Sequence, residues 1–491
     1  MGLNYMLNQL QPAELWNAFE ELNAVPRPSK REDQVQAFAV KVGEDLGLPT
    51  AKDSVGNVRI TKPASPGMEH APTVVIQAHL DMVCQKNEGT EHDFDTEGIA
   101  MFIEDGWVKA KGTTLGADNG IGVAMAMATL RSNTLVHPAI EVLFTSDEET
   151  GMTGALGLQE GWITGKYLLN IDTEDDRELT IGCAGGIDVT ATSGLTYRKA
   201  PVAEPMGYSL QIKGLTGGHS GMDIHLGRGN ANLLMVRLLR DLEREACILL
   251  GTLAGGNLRN AIPRECQATV VMDASHAQVL EQAFGPLAAS IKKEYQATDP
   301  MLEITLTATG SAEYKVLEAD VQTALLAAIS GCPAGILRMN PEVDGLVQTS
   351  NNVAKVQLSE EGAQVLCLTR SSSESEKMDA AHRIAAVLGL AGLTTTFAGS
   401  YPGWEPAPGG ELAKLMRQTY VDLFQEEPHV NACHAGLECG IIGQKCPGME
   451  MISFGPNIRG AHSPDERVEI ASVQKSWDYY VEILKRFGAM N

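Results

Sequence analysis

The chain has 491 residues, which is more than a single hydrophobic core usually supports, so we expect at least two domains. Hydrophobic residues make up 44% and charged residues 20%, a composition that is typical of folded globular proteins and excludes a largely disordered chain. The 38 basic residues are outnumbered by 62 acidic ones, giving a net charge of −24. This surplus repels phosphate backbones, so we expect no nucleic-acid partner.

Cysteine usage and the N-terminal sequence predict a cytoplasmic protein. The nine cysteines include no Cys-x-x-Cys pair, which argues against a structural zinc site and favours reduced thiols. The first residues lack the charged and apolar regions of a signal peptide. No apolar run approaches the roughly 20 residues of a membrane-spanning helix, so we expect no membrane association.

The first third of the chain predicts an α/β domain. Apolar residues recur at helical spacing between Glu14 and Leu46, which predicts two helices separated by a turn at 25–29. Short runs rich in β-branched residues then predict strands at 55–60, 73–78, 140–144 and 167–171, with a helix at 121–130. This alternation indicates a mostly parallel, buried central sheet.

The pattern changes near Gly185. Alternating strands at 188–197, 208–215, 267–273, 302–309 and 363–370 are mixed with helices at 229–243, 276–291 and 374–389, which predicts an α+β domain. After Gly399, a helix at 411–424 and a strand at 449–455 are similar to the opening pattern. We therefore predict one domain of residues 1–186 and 396–491, with a second domain, 187–395, inserted into it.

Two motifs suggest metal chemistry at strand and loop ends. His79 and Asp81 stand two residues apart at the end of a predicted strand, and strand alternation would turn both to the same side. Asp81 could then orient His79 as a metal ligand, although such a pair is often only structural. Asp118 lies in a glycine-rich loop before a helix, where a carboxylate has room to reach two cations; an ordinary N-cap is the alternative.

Three consecutive acids in 145-TSDEETG-151 follow an apolar strand. Their mutual repulsion requires a counter-charge, which a divalent cation supplies; one carboxylate then binds metal while its neighbour accepts a proton from metal-bound water. A solvated acidic turn is the alternative. Asp172 and His462 also follow predicted strands, and ligands of open α/β sheets bind beyond the carboxyl ends of strands. We expect these groups to converge on a paired zinc site.

The five motifs resemble, in the same order, those of the co-catalytic zinc aminopeptidase, carboxypeptidase and aminoacylase family. The resemblance implies a catalytic domain, a lid and dimerisation domain, and two zinc ions per subunit, with Co²⁺ or Mn²⁺ as possible substitutes. The ligands that it implies are His79, Asp118, Glu149, Asp172 and His462. His79 and Asp172 would hold one ion and Glu149 and His462 the other, bridged by Asp118. Glu148 would be the general base, and the Asp118–Asn119 bond is often cis in this family.

Further motifs, 217-GGHSG-221, 259-RNAIP-263, 401-YPGW-404 and 434-HAGLECG-440, are similar to the bacterial dipeptidases of that family, which cleave Xaa-His substrates such as carnosine and other dipeptides. The resemblance implies a homodimer in which His219 reaches the partner subunit's active site. It also implies substrate-binding groups at Asn260, Arg370 and Gly436. Whether Asn260 or Asn352 contacts the substrate is left open by the sequence.

Other enzyme classes lack their motifs. The chain has no G-x-S-x-G sequence for a serine hydrolase and no H-E-x-x-H sequence for a single-zinc protease. A related aminoacylase, tripeptidase or carboxypeptidase is the main alternative. A non-catalytic metal-binding protein is the other, although it would have no need of a base such as Glu148.

Overall fold

The computed structural model describes residues 7–490, so residues 1–6 of the predicted first domain and residue 491 lie outside the description. The chain forms two compact units. The first consists of Met1–Gly182, Trp404–Ala432 and Leu437–Asn491, and the second of Cys183–Gly403 and Cys433–Gly436. The division thus falls at 183 and 403, near the expected 187 and 395, and it adds a short return segment to the second unit.

The α-helices within residues 7–490 are α1 (Ala13–Asn23), α2 (Asp33–Asp45), α3 (Ala117–Arg131), α4 (Glu148–Gly151), α5 (Thr153–Gly157), α6 (Ala231–Ala246), α7 (Ala277–Glu294), α8 (Ala319–Gly331), α9 (Glu374–Gly389), α10 (Glu411–Phe424), α11 (Glu438–Lys445) and α12 (Ile470–Arg486).

The strands of the same range are β1 (Thr50–Lys52), β2 (Val58–Lys62), β3 (Val74–His79), β4 (Met101–Glu104), β5 (Trp107–Ala110), β6 (Ile140–Thr145), β7 (Tyr167–Asn170), β8 (Glu178–Cys183), β9 (Gly185–Ser193), β10 (Tyr197–Lys199), β11 (Pro205–Lys213), β12 (Gly218–His219), β13 (Leu249–Gly255), β14 (Ala261–Ile262), β15 (Cys266–Asp273), β16 (Glu303–Ser311), β17 (Lys315–Leu317), β18 (Gly335–Met339), β19 (Val347–Ser359), β20 (Gly362–Ser371), β21 (Thr394–Tyr401), β22 (His429–Cys433), β23 (Glu450–Ser453), β24 (Ile458–Arg459) and β25 (Arg467–Glu469).

The first unit contains an eight-stranded sheet in the order β1-β2-β6-β3-β7-β23-β8-β22. Strand β3 pairs in parallel with β6 and β7, and β7 pairs in parallel with β23. Strands β1, β2 and β8 join the sheet antiparallel. The predicted α/β class is therefore confirmed, and the parallel pairing lies at the centre of the sheet. A smaller sheet in the order β24-β25-β5-β4 accompanies it.

The central strands β3 and β6 and the helix α3 form the interior of the first unit. Every residue of β3 and of β6 is buried, as expected for parallel strands that are covered on both faces. Helix α3 is buried on all sides from Asn119 to Leu130, which is typical of a helix inside a large core. The parallel strands end together, so the segments after His79, Thr145 and Asn170 meet at one edge of the sheet.

The second unit is built on a nine-stranded sheet whose main path is β16-β11-β15-β13-β19-β20-β9-β21, with β18 paired to β19. The strand pairs of this sheet, such as β11 with β15 and β20 with β19 and β9, are antiparallel, and strands such as β20 alternate between buried and half-buried positions. Helices α6, α7, α8 and α9 pack with these strands around a core that includes Leu238, Leu253 and Val365. The expected α+β character of this region is present.

Within residues 7–490, none of the helices combines the length and the apolar composition needed to cross a bilayer.

We predict that Gly122→Ala destabilises the first unit. A Cβ at Gly122 would lie 2.7 Å from the main-chain oxygen of Ile171, so α3 would have to move away from the end of β7. Overpacking of this kind costs about 1–3 kcal/mol, which exceeds the ~1 kcal/mol that alanine gains over glycine in a helix. The midpoint of thermal unfolding should fall.

Gly389→Ala at the end of α9 is the matched control, because its Cβ would meet no atom within 4 Å. Its unfolding midpoint should be unchanged or slightly raised. A Gly122→Ala protein as stable as the wild type would show that α3 and β7 are not in tight contact.

Candidate metal centre

The carboxylate of Asp118 lies between two histidines. Its Oδ1 is 3.1 Å from Nε2 of His79, and its Oδ2 is 3.2 Å from Nε2 of His462. Each oxygen therefore faces a different imidazole, which is the arrangement that a carboxylate shared by two cations requires. The Asp118–Asn119 peptide bond is cis, as expected.

Two further carboxylates complete two groups of donors. Oδ1 of Asp172 lies 3.5 Å from Nε2 of His79, and Oε2 of Glu149 lies 3.1 Å from Nε2 of His462. In the group of His79, Asp118 and Asp172, and likewise in that of Asp118, Glu149 and His462, one donor atom from each residue lies within 4.8 Å of the others. The structure thus brings all five expected ligands together.

The donors fit a pair of divalent cations. Tetrahedral zinc at about 2.0–2.2 Å from nitrogen and oxygen ligands places neighbouring donor atoms about 3.3 Å apart. The four distances between a histidine Nε2 and a carboxylate oxygen given above run from 3.1 to 3.5 Å. Oδ1 of Asp172 and Oε1 of Glu149 are also buried without a hydrogen-bond partner among residues 7–490. Buried acceptors of this kind are costly, and a bound cation would satisfy both.

Protons balance the acidic charge when no cation is bound. Burial lowers the pKa of His79, but Asp172 and Asp118 outweigh this effect and raise the pKa well above its ordinary value. Hydrogen bonds to Asp118 and Glu149 raise the pKa of His462 to about 11. The two histidines in turn hold the pKa of Asp118 below its usual range, although burial opposes them. Cation binding must therefore displace protons from the histidines.

Glu148 lies beside both groups of donors. It begins α4 directly before Glu149, and one of its oxygens is within 4.8 Å of donor atoms of His79 and Glu149. Burial raises the pKa of Glu148 well above its ordinary value, and Asp172 adds to this against the opposing charge of His79. The protonation state of Glu148 thus depends on the charges around it, and a carboxyl group of this kind beside the candidate metal ligands is suited to proton transfer.

Asp81 links His79 to the turn that carries Glu148. Strand β3 ends at His79, so the two residues are brought together by the turn after the strand and not by strand alternation. Nδ1 of His79 lies 3.2 Å from the main-chain oxygen of Asp81 and 3.4 Å from its carboxylate, which leaves Nε2 for the metal side. The same carboxylate accepts hydrogen bonds from Ser29 Oγ and from the amides of Glu148 and Glu149.

The second unit contains a buried guanidinium, that of Arg370 on β20. Only 4% of Arg370 is exposed, and it donates to the hydroxyl of Tyr401 at 2.9 Å. Its remaining contacts, with Ser220 Oγ and His219 Nε2, are long at 3.4 Å. These partners are all uncharged or weakly basic, and Arg370 forms no ion pair with a carboxylate of the described residues. Asp188 feels the charge of Arg370 without forming an ion pair with it, so Arg370 is a candidate partner for an anionic group of a ligand.

His219 offers a defined proton donor in the same unit. Its Nδ1 accepts hydrogen bonds from the amides of Gly221 and Met222, so in the neutral ring the proton is on Nε2. Burial lowers the pKa of His219, and the charge of Arg370 lowers it further. The lowered pKa favours the neutral imidazole, whose Nε2–H lies 3.4 Å from Nη2 of Arg370 and does not accept a hydrogen bond from it.

The two candidate asparagines occupy different surroundings. Asn260 is exposed, and its main-chain oxygen accepts from the amide of Ser220. Asn352 is 2% exposed, and its amide donates to the main-chain oxygens of Arg259 and Ala261. Asn352 thus holds the loop that presents Asn260. Gly436 packs beside Tyr401, whose ring would lie 2.9 Å from a Cβ at that position.

Comparison with known proteins gives the family. A family model described as peptidase family M20/M25/M40 matches residues 75–486. The chain belongs to this family. The expected resemblance to metal-dependent peptidases is confirmed, and the predicted ligands lie within the matched range.

Two relatives are similar over nearly their whole length. The chain is 41% identical over 483 residues to the cytosol non-specific dipeptidase of Escherichia coli strain K12, covering 98% of this chain and 99% of that protein. The aminoacylhistidine dipeptidase structure from Vibrio alginolyticus matches with a TM-score of 0.94 at 43% identity, covering 98% of both chains. A tripeptidase from Staphylococcus aureus shares the fold, with a TM-score of 0.56 at 14% identity over 98% of this chain and 100% of its own.

Three charged residues near the centre are absent from the sequence-based prediction. Glu438 is 1% exposed and accepts hydrogen bonds from Gln77 and Thr145, which lie on the strands that end at the candidate ligands; burial raises its pKa to about 7. Arg27 and Glu466 are also buried and contact the loop that carries Asp118. The available signals were weak: Glu466 follows His462 by four residues, and Arg27 lies between two prolines in a predicted turn.

We predict that Asp118→Ala removes both metal ions, because Asp118 alone faces both histidines. His79→Ala and His462→Ala should each weaken mainly one site. Zinc per chain, measured by elemental analysis after reconstitution and gel filtration, distinguishes these outcomes. An Asp118→Ala protein that retains one tightly bound zinc ion would contradict the shared position.

Proposed function

We propose that the protein is a cytoplasmic dipeptidase that holds two zinc ions at the centre around Asp118 and hydrolyses dipeptides, Xaa-His substrates such as carnosine among them. The observation that carries the proposal is the carboxylate of Asp118, with one oxygen directed to His79 and the other to His462. The names of the two full-length relatives, both dipeptidases, support the substrate class. Cobalt and manganese accept the same ligands as zinc.

The protein's own residues perform the proton transfers. When bound, the two cations would polarise the scissile carbonyl and lower the pKa of the attacking water. Glu148 accepts a proton from that water and returns it to the nitrogen of the leaving amino acid. The carboxylate of Asp81 contacts both the imidazole of His79 and the amide of Glu148, and it thereby fixes the position of one relative to the other.

Arg370 supplies recognition of the substrate's free carboxylate. Its guanidinium is buried and unpaired with any acid of the described residues, and a planar guanidinium binds a carboxylate through two parallel hydrogen bonds. Asn260, exposed on the loop that Asn352 holds, and the main chain at Gly436 complete the proposed substrate contacts. This feature separates a dipeptidase from a tripeptidase that removes the first residue, because the free carboxylate of a tripeptide lies one residue farther from the cleaved bond; an aminoacylase or a carboxypeptidase is distinguished by the panel of substrates it cleaves.

The second unit is proposed to act as a lid and dimerisation domain, with His219 serving the partner subunit's active site. The neutral ring with its proton on Nε2 supports a role as donor to the oxyanion that forms on the carbonyl. The test is complementation: verified heterodimers of inactive Glu148→Gln and inactive His219→Ala chains should regain activity, because one of their two sites carries neither substitution. Inactive heterodimers would place His219 in its own chain's site.

A cytoplasmic location is supported by the spacing of the cysteines, which are spread thinly along the sequence and include no Cys-x-x-Cys pair. The relative from Escherichia coli is named as a cytosol protein.

We predict that Glu148→Gln abolishes turnover while zinc binding is kept. The substitution preserves shape but removes the basic oxygen, and general-base catalysis is worth roughly 10²–10⁴-fold. Activity on a dipeptide and zinc content should be measured on the same preparation. Glu149→Gln is the matched control, since it alters a proposed ligand and should lose metal as well. A Glu148→Gln enzyme within about threefold of wild-type activity would exclude Glu148 as the base.

We predict that C-terminally amidated dipeptides are poor substrates. The amide cannot form the charged pair with Arg370, and truncating one partner of a buried charge pair costs about 2–5 kcal/mol, so kcat/KM should fall by about 30-fold or more. Arg370→Met should weaken hydrolysis of the free dipeptide and bring the acid-to-amide ratio of kcat/KM close to one. Equal hydrolysis of acid and amide by the wild type would contradict the role of Arg370.

A further inference from the structure

The N-terminus of α3 is capped by a carboxylate from the far end of the chain. Glu466 is 3% exposed, and its two oxygens accept hydrogen bonds from four consecutive amides. Oε2 accepts from Leu115 and Gly116 at 2.7 and 2.9 Å, and Oε1 accepts from Ala117 and Asp118 at 2.7 and 3.2 Å. The helix's own N-cap residue, Gly116, has no side chain with which to satisfy these groups. Glu466 therefore fixes the backbone of Asp118 itself.

A buried guanidinium holds the other side of the same loop. Arg27 is 2% exposed, and its Nη2 donates to the main-chain oxygen of Gly116 at 2.5 Å. Its Nη1 lies 3.2 Å from the main-chain oxygens of both Leu80 and Asp81, the residues that follow His79. Asn23 extends the contact, because it accepts from Arg27 and donates to the main-chain oxygen of Leu115. One side chain thus joins the segment that carries His79 to the segment that carries Asp118.

The geometry at Gly116 shows how closely the loop is fitted to Arg27. Gly116 has φ +70°, a conformation that residues with side chains rarely adopt. A Cβ at this position would lie 2.4 Å from Nη2 of Arg27 and 2.9 Å from the sulfur of Met82. The loop can take this path only because residue 116 is glycine, and the guanidinium occupies the space where a side chain would stand.

We propose that Glu466 and Arg27 are positioning residues that hold Asp118 and His79 in their metal-binding arrangement before any cation is bound. The inference rests on the proposed function for the identity of the cations. The carboxylate of Asp118 contacts His79 and His462, and these contacts must change when a cation enters, so a restraint on the loop that does not use this carboxylate keeps Asp118 in place in both states. Hydrogen bonds to backbone atoms supply such a restraint without occupying the carboxylate oxygens of Asp118 that face the histidines.

An ordinary helix cap explains less than is observed. A cap satisfies one or two amides and stabilises the helix that it begins. Here the carboxylate covers four amides, including that of a proposed ligand, and the guanidinium ties the same loop to the strand end of a second ligand. A purely structural role predicts lost stability only, whereas a positioning role predicts weaker metal binding beyond any loss of stability.

The test compares Glu466→Gln with a matched control, Glu141→Gln. Glu141 is 6% exposed, and its Oε2 accepts from the amides of Thr164 and Gly165 at 2.7 and 2.9 Å, at the opposite end of β6 from the metal ligands. In each variant one carboxylate oxygen becomes an NH₂ group, so amides lose an acceptor in both. Zinc affinity is measured by competition with a chromophoric chelator, and stability by urea unfolding of the metal-free proteins.

We expect Glu466→Gln to weaken zinc binding by about 10–100-fold, the range typical of residues that orient metal ligands, and Glu141→Gln to bind zinc as the wild type does. Zinc affinity of Glu466→Gln equal to that of the wild type would overturn the proposal. Equal weakening in both variants would also overturn it, because the effect would then follow general stability.

Hydrogen exchange of the metal-free wild type tests the same claim without a variant, should Glu466→Gln fail to fold. Amides of residues 115–118 should be protected before zinc is added; exchange as fast as in an unstructured peptide would overturn the proposal. The outcomes are separable from those of the proposed function. A wild type that binds no zinc or cleaves no dipeptide refutes that function, while protection of the loop still reports on the restraint by Glu466 and Arg27.

Discussion

The repulsion among buried acids around one shared carboxylate is the constraint on which the rest of the first unit depends. Asp118, Glu149 and Asp172 lie within a few ångströms of two histidines, and two of these acids have an oxygen without a hydrogen-bond partner among the described residues. Such a cluster is stable only with positive charge inside it, supplied by protonated histidines or by cations. The buried strands and α3 hold the acids in place against their repulsion, and this holds the centre ready for metal.

Two residues near the candidate metal centre have unusual backbone conformations. Asp147 and His462 adopt φ values of +55° and +62°, a region that residues with side chains rarely occupy. Both stand next to functional groups: Asp147 precedes Glu148, and His462 is itself a proposed ligand. Asp81 accepts the amides of Glu148 and Glu149, so the unusual turn is held by hydrogen bonds that also orient His79.

The second unit contains a buried positive charge, that of Arg370. Arg370 is a buried cation without an acidic partner among the described residues, and its neighbours His219 and Tyr401 cannot neutralise it. A charge kept in this state costs stability, which is reasonable only where a ligand provides the counter-charge. We regard the buried guanidinium without an ion-paired carboxylate as the physical basis of the proposed preference for substrates with a free carboxylate.

The sequence by itself determined the fold class, most of the helices and strands, and the five candidate ligands, because burial leaves periodic apolar patterns and because metal ligands follow strands in short motifs. Helix α9 was predicted with the bounds that the structure shows, and β6 differs by one residue. Only the tertiary structure decided that Asp81 meets His79 through a turn, that Asn352 holds the loop of Asn260, and that Glu466 and Arg27 hold the loop of Asp118. The contact of Asp81 with His79 is local and depends on where β3 ends. The other contacts join residues far apart in the chain through backbone amides and carbonyls, and such groups are the same in every residue, so they leave no pattern in the sequence.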